Sequence, residues 1–333
     1  MLRDKKVFVT GGAGFIGSHL VESLVKAGAL VKVYDNFSTG LMDNLEAVKD
    51  DVEIIRGDIL DSEKLEREMK GAEIVSHQAA QLEITKCVDD PVEDLTSNTI
   101  GTINVLNASV KNKVSKIISA SSACVYGQAQ YIPEDEDKHP TNPNWAYGVS
   151  KLAGEKYGYI YSQLYGIPVV SLRYAIIYGP KEWYGRVLTI FLKRAMEGKP
   201  LVVFGEGDQQ RDFTFVEDLV EMHNMCVERE EANNQVFNVS TGIATTIQML
   251  AKTILSCIDT NSEIIHEEVK EGQRSKIADN RMRLPLELKQ MVLDPQKARL
   301  ILNWKAKTNL EEGLKKEYQW LKENSKRWIK MSY

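Results

Sequence analysis

The sequence has 333 residues, a formal net charge of −5 at pH 7, 43% hydrophobic residues and 27% charged residues. These values are ordinary for a globular protein with a sizeable core, and the acidic balance argues against a nucleic-acid partner. The longest apolar runs fall short of the ~18 residues that a membrane span needs. Cysteines without CxxC spacing, and a first strand that leaves no room for a signal peptide, predict a cytoplasmic protein with reduced thiols.

A glycine-rich loop follows the first predicted strand, residues 6–10, and precedes a helical pattern. Gly11 and Gly14 permit a tight turn and a close approach of the backbone to a pyrophosphate. Gly17 lets the helix pack on the strand, so that the helix N-terminus faces the anion. The strand before the loop and the helix after it make this a strong prediction of a dinucleotide-binding loop.

Two carboxylates mark the ends of the next two predicted strands. Asp35 ends the second strand at about the distance from Gly17 where an acidic residue accepts hydrogen bonds from the adenosine ribose. A carboxylate there repels a 2′-phosphate and therefore favours NAD over NADP. Asp58 follows the third strand, where its carboxylate could reach the adenine amino group.

Further predicted strands at residues 72–77, 116–122 and 168–173 alternate with helical patterns. This alternation predicts parallel βαβ units, so residues 1–175 should form a doubly wound Rossmann sheet in an α/β protein. We predict that a smaller, mixed α/β domain for the substrate occupies residues 176–330, and that the chain returns to the first domain near residues 212–240. His77 is interpreted as a hydrogen-bonded core residue.

Tyr147 and Lys151 lie four residues apart on a predicted helix, so their side chains share one face. A lysine ammonium beneath a phenol favours the phenolate, so we expect the pKa of Tyr147 to fall toward neutrality. Ser121 and Ser122 emerge at the carboxyl end of a predicted strand, where open α/β sheets bind ligands. Together with the glycine loop, these residues indicate a redox enzyme.

These motifs, in their order along the chain, resemble those of the extended short-chain dehydrogenase/reductase family. Within that family they are most similar to the nucleotide-sugar epimerases of the UDP-glucose 4-epimerase type. The resemblance extends from residue 5 to about residue 320. The resemblance implies an isomerase that keeps its NAD and inverts C4 of a UDP-hexose through a 4-keto sugar. The hexose could be glucose/galactose, N-acetylated or a uronic acid. Tyr147 would be the base, Lys151 would hold the nicotinamide ribose, and Ser122 would bind the sugar hydroxyl.

The resemblance also assigns the remaining site residues and a homodimer built from a four-helix bundle of the helices around 95–110 and around Tyr147. Arg211 would pair with the diphosphate, and an arginine near 274–283 would be a second clamp. No metal is expected. The residues expected to bind NAD are Gly11, Gly14, Phe15, Ile16, Gly17, Asp35, Asn36, Ser38, Thr39, Gly40, Asp58, Ile59, Gln78, Ala79, Ala80, Asn98, Ser121, Tyr147, Lys151, Tyr174 and Ile177. Those expected to bind the nucleotide-sugar are Ser122, Tyr147, Ile176, Arg186, Val187, Val202, Phe204, Arg211, Arg274 and Arg283.

The two residues after Ser122 differ from those of some enzymes in the family, and they bear on which reaction the chain catalyses. Ala123 and Cys124 stand where the dehydratases carry Asp-Glu and where the UDP-glucuronate decarboxylases carry a Glu before the Val-Tyr-Gly, which argues against both reactions. Cys124 also resembles the acid/base cysteine of the GDP-mannose 3,5-epimerases, so a 3,5-epimerase is an alternative. A non-catalytic dinucleotide-sensing protein is the alternative from another class, although the intact Ser122, Tyr147 and Lys151 argue against it.

A second departure concerns the sugar. Ala175 and Ile176 stand where many 4-epimerases carry Phe-Asn, which removes a polar contact to the nucleotide-sugar. The segment 185–187, Gly-Arg-Val, is also found among enzymes that act on UDP-glucuronate. The sequence therefore leaves the identity of the hexose open.

Overall fold

The structure is a computed structural model that describes residues 2–182 and 185–328. Residues 329 and 330, at the end of the predicted second domain, lie outside the described residues. The strands are β1 (Lys6–Thr10), β2 (Leu30–Asp35), β3 (Val52–Arg56), β4 (Ile74–His77), β5 (Lys116–Ser122), β6 (Val169–Tyr174), β7 (Ile176–Tyr178), β8 (Leu201–Phe204), β9 (Gln210–Arg211), β10 (Phe213–Phe215), β11 (Val236–Val239), β12 (Thr245–Thr246), β13 (Ile264–Glu267) and β14 (Gln290–Met291).

A seven-stranded parallel sheet in the order β11-β6-β5-β4-β1-β2-β3 forms the centre of the protein. The chain starts at β1, adds β2 and β3 on one side, and continues from β4 on the other. A crevice therefore opens at the carboxyl ends of β1 and β4, where Thr10 lies opposite His77. The predicted doubly wound parallel sheet is confirmed.

Helices cover both faces of this sheet, with α1 packed beside α8 on one face and α2, α5 and α6 packed together on the other. The strands are nearly continuous apolar runs because both faces are buried. The helices are α1 (Phe15–Lys26), α2 (Ser62–Glu68), α3 (Ile84–Asp89), α4 (Pro91–Asp94), α5 (Gly101–Lys111), α6 (Ala146–Tyr165), α7 (Val187–Met196), α8 (Val216–Glu228), α9 (Ile247–Cys257), α10 (Gln296–Leu302), α11 (Leu310–Glu323) and α12 (Ser325–Trp328).

The long helix expected through Asn98 is not one regular helix. A π-helical segment, Leu95–Ile100, separates α4 from α5. A π-helical turn accommodates one extra residue and is frequent at functional sites, and this one carries the predicted cofactor residue Asn98.

A second, smaller core lies between α7, α9 and α11, where Leu188, Phe191, Leu250 and Leu314 are buried. Short strand pairs border it: β8 pairs with β13, and β7 pairs with β10. The edge strand β11 pairs with β6 in the large sheet. The domain division near residue 175 stays a prediction.

None of the helices in the described part of the chain has the length and apolar character that a membrane crossing needs. His77 is buried, with Nδ1 2.7 Å from Thr10 Oγ1 and Nε2 3.0 Å from Thr102 Oγ1, which confirms its interpretation as a core residue.

Candidate active site

The end of β5 and the start of α6 meet at the carboxyl edge of the sheet. A Cβ on Gly148 would lie 2.4 Å from the carbonyl oxygen of Cys124, so this approach requires a glycine. The contact brings the neighbouring Tyr147 to the segment that follows Ser122. Sequence reasoning missed Gly148, although glycine is unfavourable in the first turns of a helix unless packing requires it.

Tyr147 and Lys151 lie on one face of α6, with Lys151 Nζ 5.8 Å from the centroid of the Tyr147 ring. Lys151 is buried, and its ammonium group donates a hydrogen bond of 3.0 Å to the carbonyl of Ala120 on β5. Ser122, at the end of that strand, is buried, and its Oγ accepts a hydrogen bond from Cys124 N. The predicted catalytic side chains are therefore gathered where β5 and α6 meet.

The expectation that the pKa of Tyr147 falls toward neutrality is wrong. Burial raises the pKa of Tyr147, because the phenolate loses its hydration, and Cys124 acts in the same direction. The positive charge that opposes this shift most strongly is Arg186, not Lys151. Burial also lowers the pKa of Lys151 to about 8, while the charge of Asp94 opposes that change. Ionisation of Tyr147 therefore needs positive charge beyond Lys151.

Cys124 is buried within the same group of side chains. Burial raises the pKa of its thiol, whereas the hydrogen bond with Ser122 and the charges of Arg211 and Arg186 lower it. A buried thiol with a raised pKa keeps its proton and is a weak nucleophile. The position of Cys124 fits both a structural residue and an acid at a sugar carbon.

The glycine loop forms a cradle whose backbone is too close for side chains. A Cβ on Gly17 would lie 2.1 Å from the carbonyl oxygen of Gly11, and a Cβ on Gly11 would lie 2.6 Å from Ala79 N. Ala79 and the next residue, Ala80, are half-buried at the mouth of the crevice. Small residues at all these positions leave room for a dinucleotide beside the backbone, as the motif predicts.

Helix α1 begins immediately after this loop. Gly14 is its N-cap, and Phe15 and Ile16 are its first residues, the former buried and the latter half-buried. The first backbone N–H groups of a helix have no partner within the helix and attract anions. The chain therefore presents N–H donors where the pyrophosphate is expected.

Asp35 holds the loop after β2 against the glycine cradle. Its carboxylate accepts hydrogen bonds from Ala13 N at 2.9 Å and Phe37 N at 2.8 Å, and Gly40 is buried beside it. Burial nevertheless raises the pKa of Asp35. A buried carboxylate with free lone pairs in this place fits the predicted contact with ribose hydroxyls.

Asn36 connects this loop to the end of β3, because its Nδ2 donates to Asp58 Oδ2 at 2.9 Å. The Oδ1 atom of Asn36 accepts a hydrogen bond from Ser38 N, and the Ser38 and Thr39 side chains are exposed. The neighbouring Ile59 is buried. The residues predicted to contact adenosine thus share one hydrogen-bonded edge of the crevice.

The buried Asp94 is the centre of a network that the sequence did not reveal. Its carboxylate accepts hydrogen bonds from Ser150 Oγ at 2.5 Å, Asn98 Nδ2 at 2.7 Å and Cys87 Sγ at 3.0 Å. Asn98 in turn binds the backbone of Gln81 through both polar atoms of its side chain. The network ties the π-helical segment to the α6 turn that carries Lys151.

The remaining predicted cofactor residues lie at the ends of β4, β5 and β6 and within β7. Tyr174 Oη donates to Gln78 Oε1 at 3.0 Å, and Ile177 is buried nearby in the core. The Ser121 hydroxyl donates to Glu155, which forms a buried ion pair with Arg173. The Ser121 hydroxyl is therefore engaged by Glu155 and supports the strand.

Two of the arginines predicted to bind the diphosphate share one carboxylate. Glu287 lies 2.8 Å from Arg283 Nε and 3.8 Å from Arg211 Nη2. Arg274 is exposed and donates to the carbonyl of Asn280. The structure thus brings Arg211 and Arg283 together at Glu287, which sequence reasoning missed. Arg274 instead contacts Asn280.

The stretch predicted to pack on the base contains one accessible ring. Val202 is buried, whereas Phe204 is half-buried with the guanidinium of Arg281 5.8 Å from its ring centroid. An aromatic face with a cation over it is suited to a flat, electron-rich ligand. Arg281 therefore lies beside the aromatic ring that is expected to contact the base.

Arg186 precedes α7 and forms an ion pair of 3.0 Å with the buried Glu182. Glu317 on α11 is also buried. Burial raises the carboxyl pKa of both glutamates, and the charge of Glu182 raises that of Glu317 further. Val187 and Ile176 are half-buried in the same region. Since Arg186 also acts on Tyr147, this cluster links the catalytic residue to the second core.

The fold and this edge of the sheet are typical of a dinucleotide-binding protein, with Ser122, Tyr147 and Lys151 gathered at the carboxyl ends of the strands. The sequence model of the NAD dependent epimerase/dehydratase family matches residues 7–240. The chain belongs to this family, and the predictions of its family and of NAD as its cofactor are confirmed.

Individual relatives differ in the reactions that their names give. The putative UDP-glucose 4-epimerase of Methanocaldococcus jannaschii is 36% identical over 96% of this chain and 99% of its own length. The UDP-N-acetyl-alpha-D-glucosaminuronate decarboxylase of Bacillus cytotoxicus is 32% identical over 96% of this chain and 98% of its own. The crystal structure of Thermus thermophilus UDP-glucose 4-epimerase with NAD superposes with a TM-score of 0.85 at 32% identity, covering 96% and 99% of the two chains.

Proposed function

We propose that this chain is a UDP-sugar 4-epimerase that inverts C4 through a 4-keto sugar and keeps its NAD between turnovers. The observation that carries the proposal is the meeting of Ser122, Tyr147 and Lys151 at the junction of β5 and α6, beside a glycine cradle. The similarity to proteins named UDP-glucose 4-epimerase supports the reaction type but leaves the sugar open.

The residues around the crevice fit NAD. The glycine cradle and the start of α1 would hold its pyrophosphate, Asp35 its adenosine ribose, and Lys151 its nicotinamide ribose. A Cβ on Gly17 would collide with the carbonyl oxygen of Gly11, so the tight turn of the cradle requires a glycine at this position. When bound, NAD accepts the hydride from C4 and returns it, and its oxidised ring brings a positive charge to the site.

Tyr147 would take the proton of the C4 hydroxyl and give it back after the sugar has turned. Ser122 would hydrogen-bond the same oxygen, first as hydroxyl and then as keto group. Because burial raises the pKa of Tyr147, the phenolate would form only when the charges of Arg186, Lys151 and the cofactor act together. The site thereby limits proton removal to the occupied complex.

Arg211 and Arg283 would bind the diphosphate in place of Glu287, since a guanidinium fork matches phosphate oxygens. Phe204 would stack on the base, beside Arg281. The nucleotide would hold the intermediate while the keto sugar presents its other face. Arg186 is paired with Glu182, so its charge does not select among the three forms of the sugar considered.

A 3,5-epimerase remains the second candidate because Cys124 lies beside Ser122 and acts on the pKa of Tyr147. Its raised thiol pKa suits proton donation better than proton removal from carbon. Decarboxylation, the reaction named for one relative, is not favoured, because this chain has Cys124 where the UDP-glucuronate decarboxylases are expected to carry a Glu.

The experiment is to incubate the purified protein with UDP-glucose, UDP-N-acetylglucosamine, UDP-glucuronate and GDP-mannose and to follow the sugar protons by NMR. Inversion at C4 of one UDP-sugar without added NAD is the expected result. Tyr147→Phe should abolish it. Unchanged turnover in Tyr147→Phe, or no reaction with any UDP-sugar, would refute the proposal.

A further inference from the structure

Glu155 is a buried carboxylate on α6 that the proposed reaction does not use. It follows Lys151 by four residues, as Lys151 follows Tyr147, so the three side chains lie along one face of the helix. The Glu155 carboxylate accepts hydrogen bonds from Arg173 Nε at 2.9 Å, from Arg173 Nη2 at 2.8 Å and from Ser121 Oγ at 2.5 Å. The side chains of the ion pair are each only 4% exposed. Both oxygens of Glu155 are therefore engaged within the protein.

The ion pair joins the three elements that meet at the site. Glu155 lies on α6, Arg173 lies on β6, and Ser121, which is the partner of Arg173 in the sheet register, lies on β5. One turn earlier on α6, Lys151 donates to the carbonyl of Ala120. Two successive turns of the helix thus hold two successive residues of β5, just before that strand ends at the site. Two attachments restrain both the position of the helix over the strand and its rotation about its own axis.

Arg173 also contacts the chain on the other side of Ser122. Its guanidinium lies 4.7 Å from the centroid of the Tyr126 ring, and the Tyr126 hydroxyl donates to Asn238 Oδ1 at 2.8 Å. A guanidinium over an aromatic face is attractive, and the attraction is stronger when both groups are buried, as they are here. Ser122 therefore lies between two residues, Ser121 and Tyr126, that the same ion pair holds in place.

The benefit of this ion pair is geometric. Taking two charges out of water costs free energy that their attraction often only offsets, so apolar residues of similar volume are frequently as stabilising. A guanidinium fork on a carboxylate, in contrast, has a defined orientation. Misplacing a catalytic group by about 1 Å is enough to slow a reaction about hundredfold.

We propose that Glu155 is a positioning residue: through its ion pair with Arg173 and its hydrogen bond with Ser121, it holds Tyr147 and Ser122 at the separation that the reacting sugar oxygen requires. This inference rests on the proposed function. It adds a residue that acts through its neighbours and does not touch the substrate.

The test removes the ion pair without leaving one charge buried. In Glu155→Leu/Arg173→Met both partners become apolar, so the melting temperature should be at or above that of wild type. For the UDP-sugar that reacts, kcat should fall about hundredfold and KM should stay within about twofold, as expected for a misplaced catalytic group. The affinity for UDP in calorimetry and the amount of NAD released on denaturation should both be unchanged.

Two further variants keep the result decisive. Arg173→Lys keeps a positive charge beside Glu155 but loses the fork, so kcat should fall about tenfold with KM unchanged, even if the double variant folds poorly. Lys32→Met/Glu53→Gln is the matched control, because it removes an ion pair of 3.2 Å between β2 and β3, on the far side of the sheet from β5 and β6. Its kcat should equal that of wild type.

A wild-type kcat in both ion-pair variants would overturn the inference. So would a fall in kcat that is accompanied by an equal loss of UDP affinity or by loss of NAD, because that pattern indicates a general distortion of the fold. Turnover of the wild type separates the two proposals. A wild type that inverts a UDP-sugar while the ion-pair variants keep its rate refutes only the role of Glu155. A wild type that inverts no UDP-sugar refutes both.

Discussion

The ammonium group of Lys151 lies 5.8 Å from the centre of the Tyr147 ring and donates its hydrogen bond to the carbonyl of Ala120. This geometry anchors α6 to β5 at the point where the catalytic side chains meet. Lys151 therefore acts on Tyr147 as a nearby charge, and the burial of both groups determines their protonation.

The first prediction concerns stability and pH. Burial lowers the folded-state pKa of Lys151 from 10.5 to about 8. Between these values the unfolded chain binds a proton that the folded protein has released, so the Lys151 contribution to stability rises with pH. The quantity to follow is the difference between the free energies of unfolding of wild type and Lys151→Met. This difference, wild type minus variant, should increase by about 3 kcal/mol in total from pH 8 to pH 10.5.

Denaturant titrations at intervals across this range would measure the difference. Lys156→Met, at an exposed position on the same helix, is the matched control for loss of a lysine. A flat profile for Lys151→Met would show that Lys151 is not desolvated.

The second prediction concerns Asp94. Its negative charge supports the protonated form of Lys151, so Asp94→Asn should lower the Lys151 pKa further. If turnover needs the Lys151 ammonium, the alkaline limb of kcat/KM should move to lower pH by about one pH unit. Ser150→Ala removes one hydrogen bond to Asp94 but keeps the charge, and its alkaline limb should stay in place.

The sequence determined much of the fold because its signals are local. Two local patterns predict where the cofactor binds: a buried strand that enters a glycine loop, and an acidic residue at the end of the second strand. Neither pattern depends on contacts with distant parts of the chain. The expectation that the pKa of Tyr147 is lowered was wrong. A four-residue spacing predicts that two side chains on a helix lie close together, but it does not predict how deeply they are buried. The Asp94 network and Glu287 were missed because their partners lie far away in the chain.

The third prediction separates the three arginines. Arg211→Met and Arg283→Met should each weaken UDP binding roughly tenfold to hundredfold, as expected for a lost charge-assisted hydrogen bond. Arg274→Met should bind UDP as wild type does, because Arg274 is exposed and bonded to Asn280. Calorimetry with UDP alone measures this, and a loss confined to Arg274→Met would contradict the placement of the diphosphate.

The fourth prediction concerns the homodimer, which stays a prediction. Val149, Ile160 and Leu164 on α6 are exposed apolar residues at helical spacing, and Val92 and Ile100 are exposed near α5. These faces are suited to a four-helix bundle with a second copy. Leu164→Glu should convert a dimer to a monomer in analytical ultracentrifugation, whereas Leu300→Glu, at an exposed site on α10, should not.

We expect the enzyme to invert C4 by removing a hydride and returning the same hydride. Tyr147 would move only the proton of the hydroxyl group. The most direct measurement is NMR of the UDP-sugar that reacts, with the reaction carried out in D₂O by wild type and by Cys124→Ala. We expect inversion at C4, no deuterium at any sugar carbon, and turnover that survives the loss of Cys124. Deuterium at C3 or C5, abolished in Cys124→Ala, would contradict the claim and assign the chain to 3,5-epimerisation.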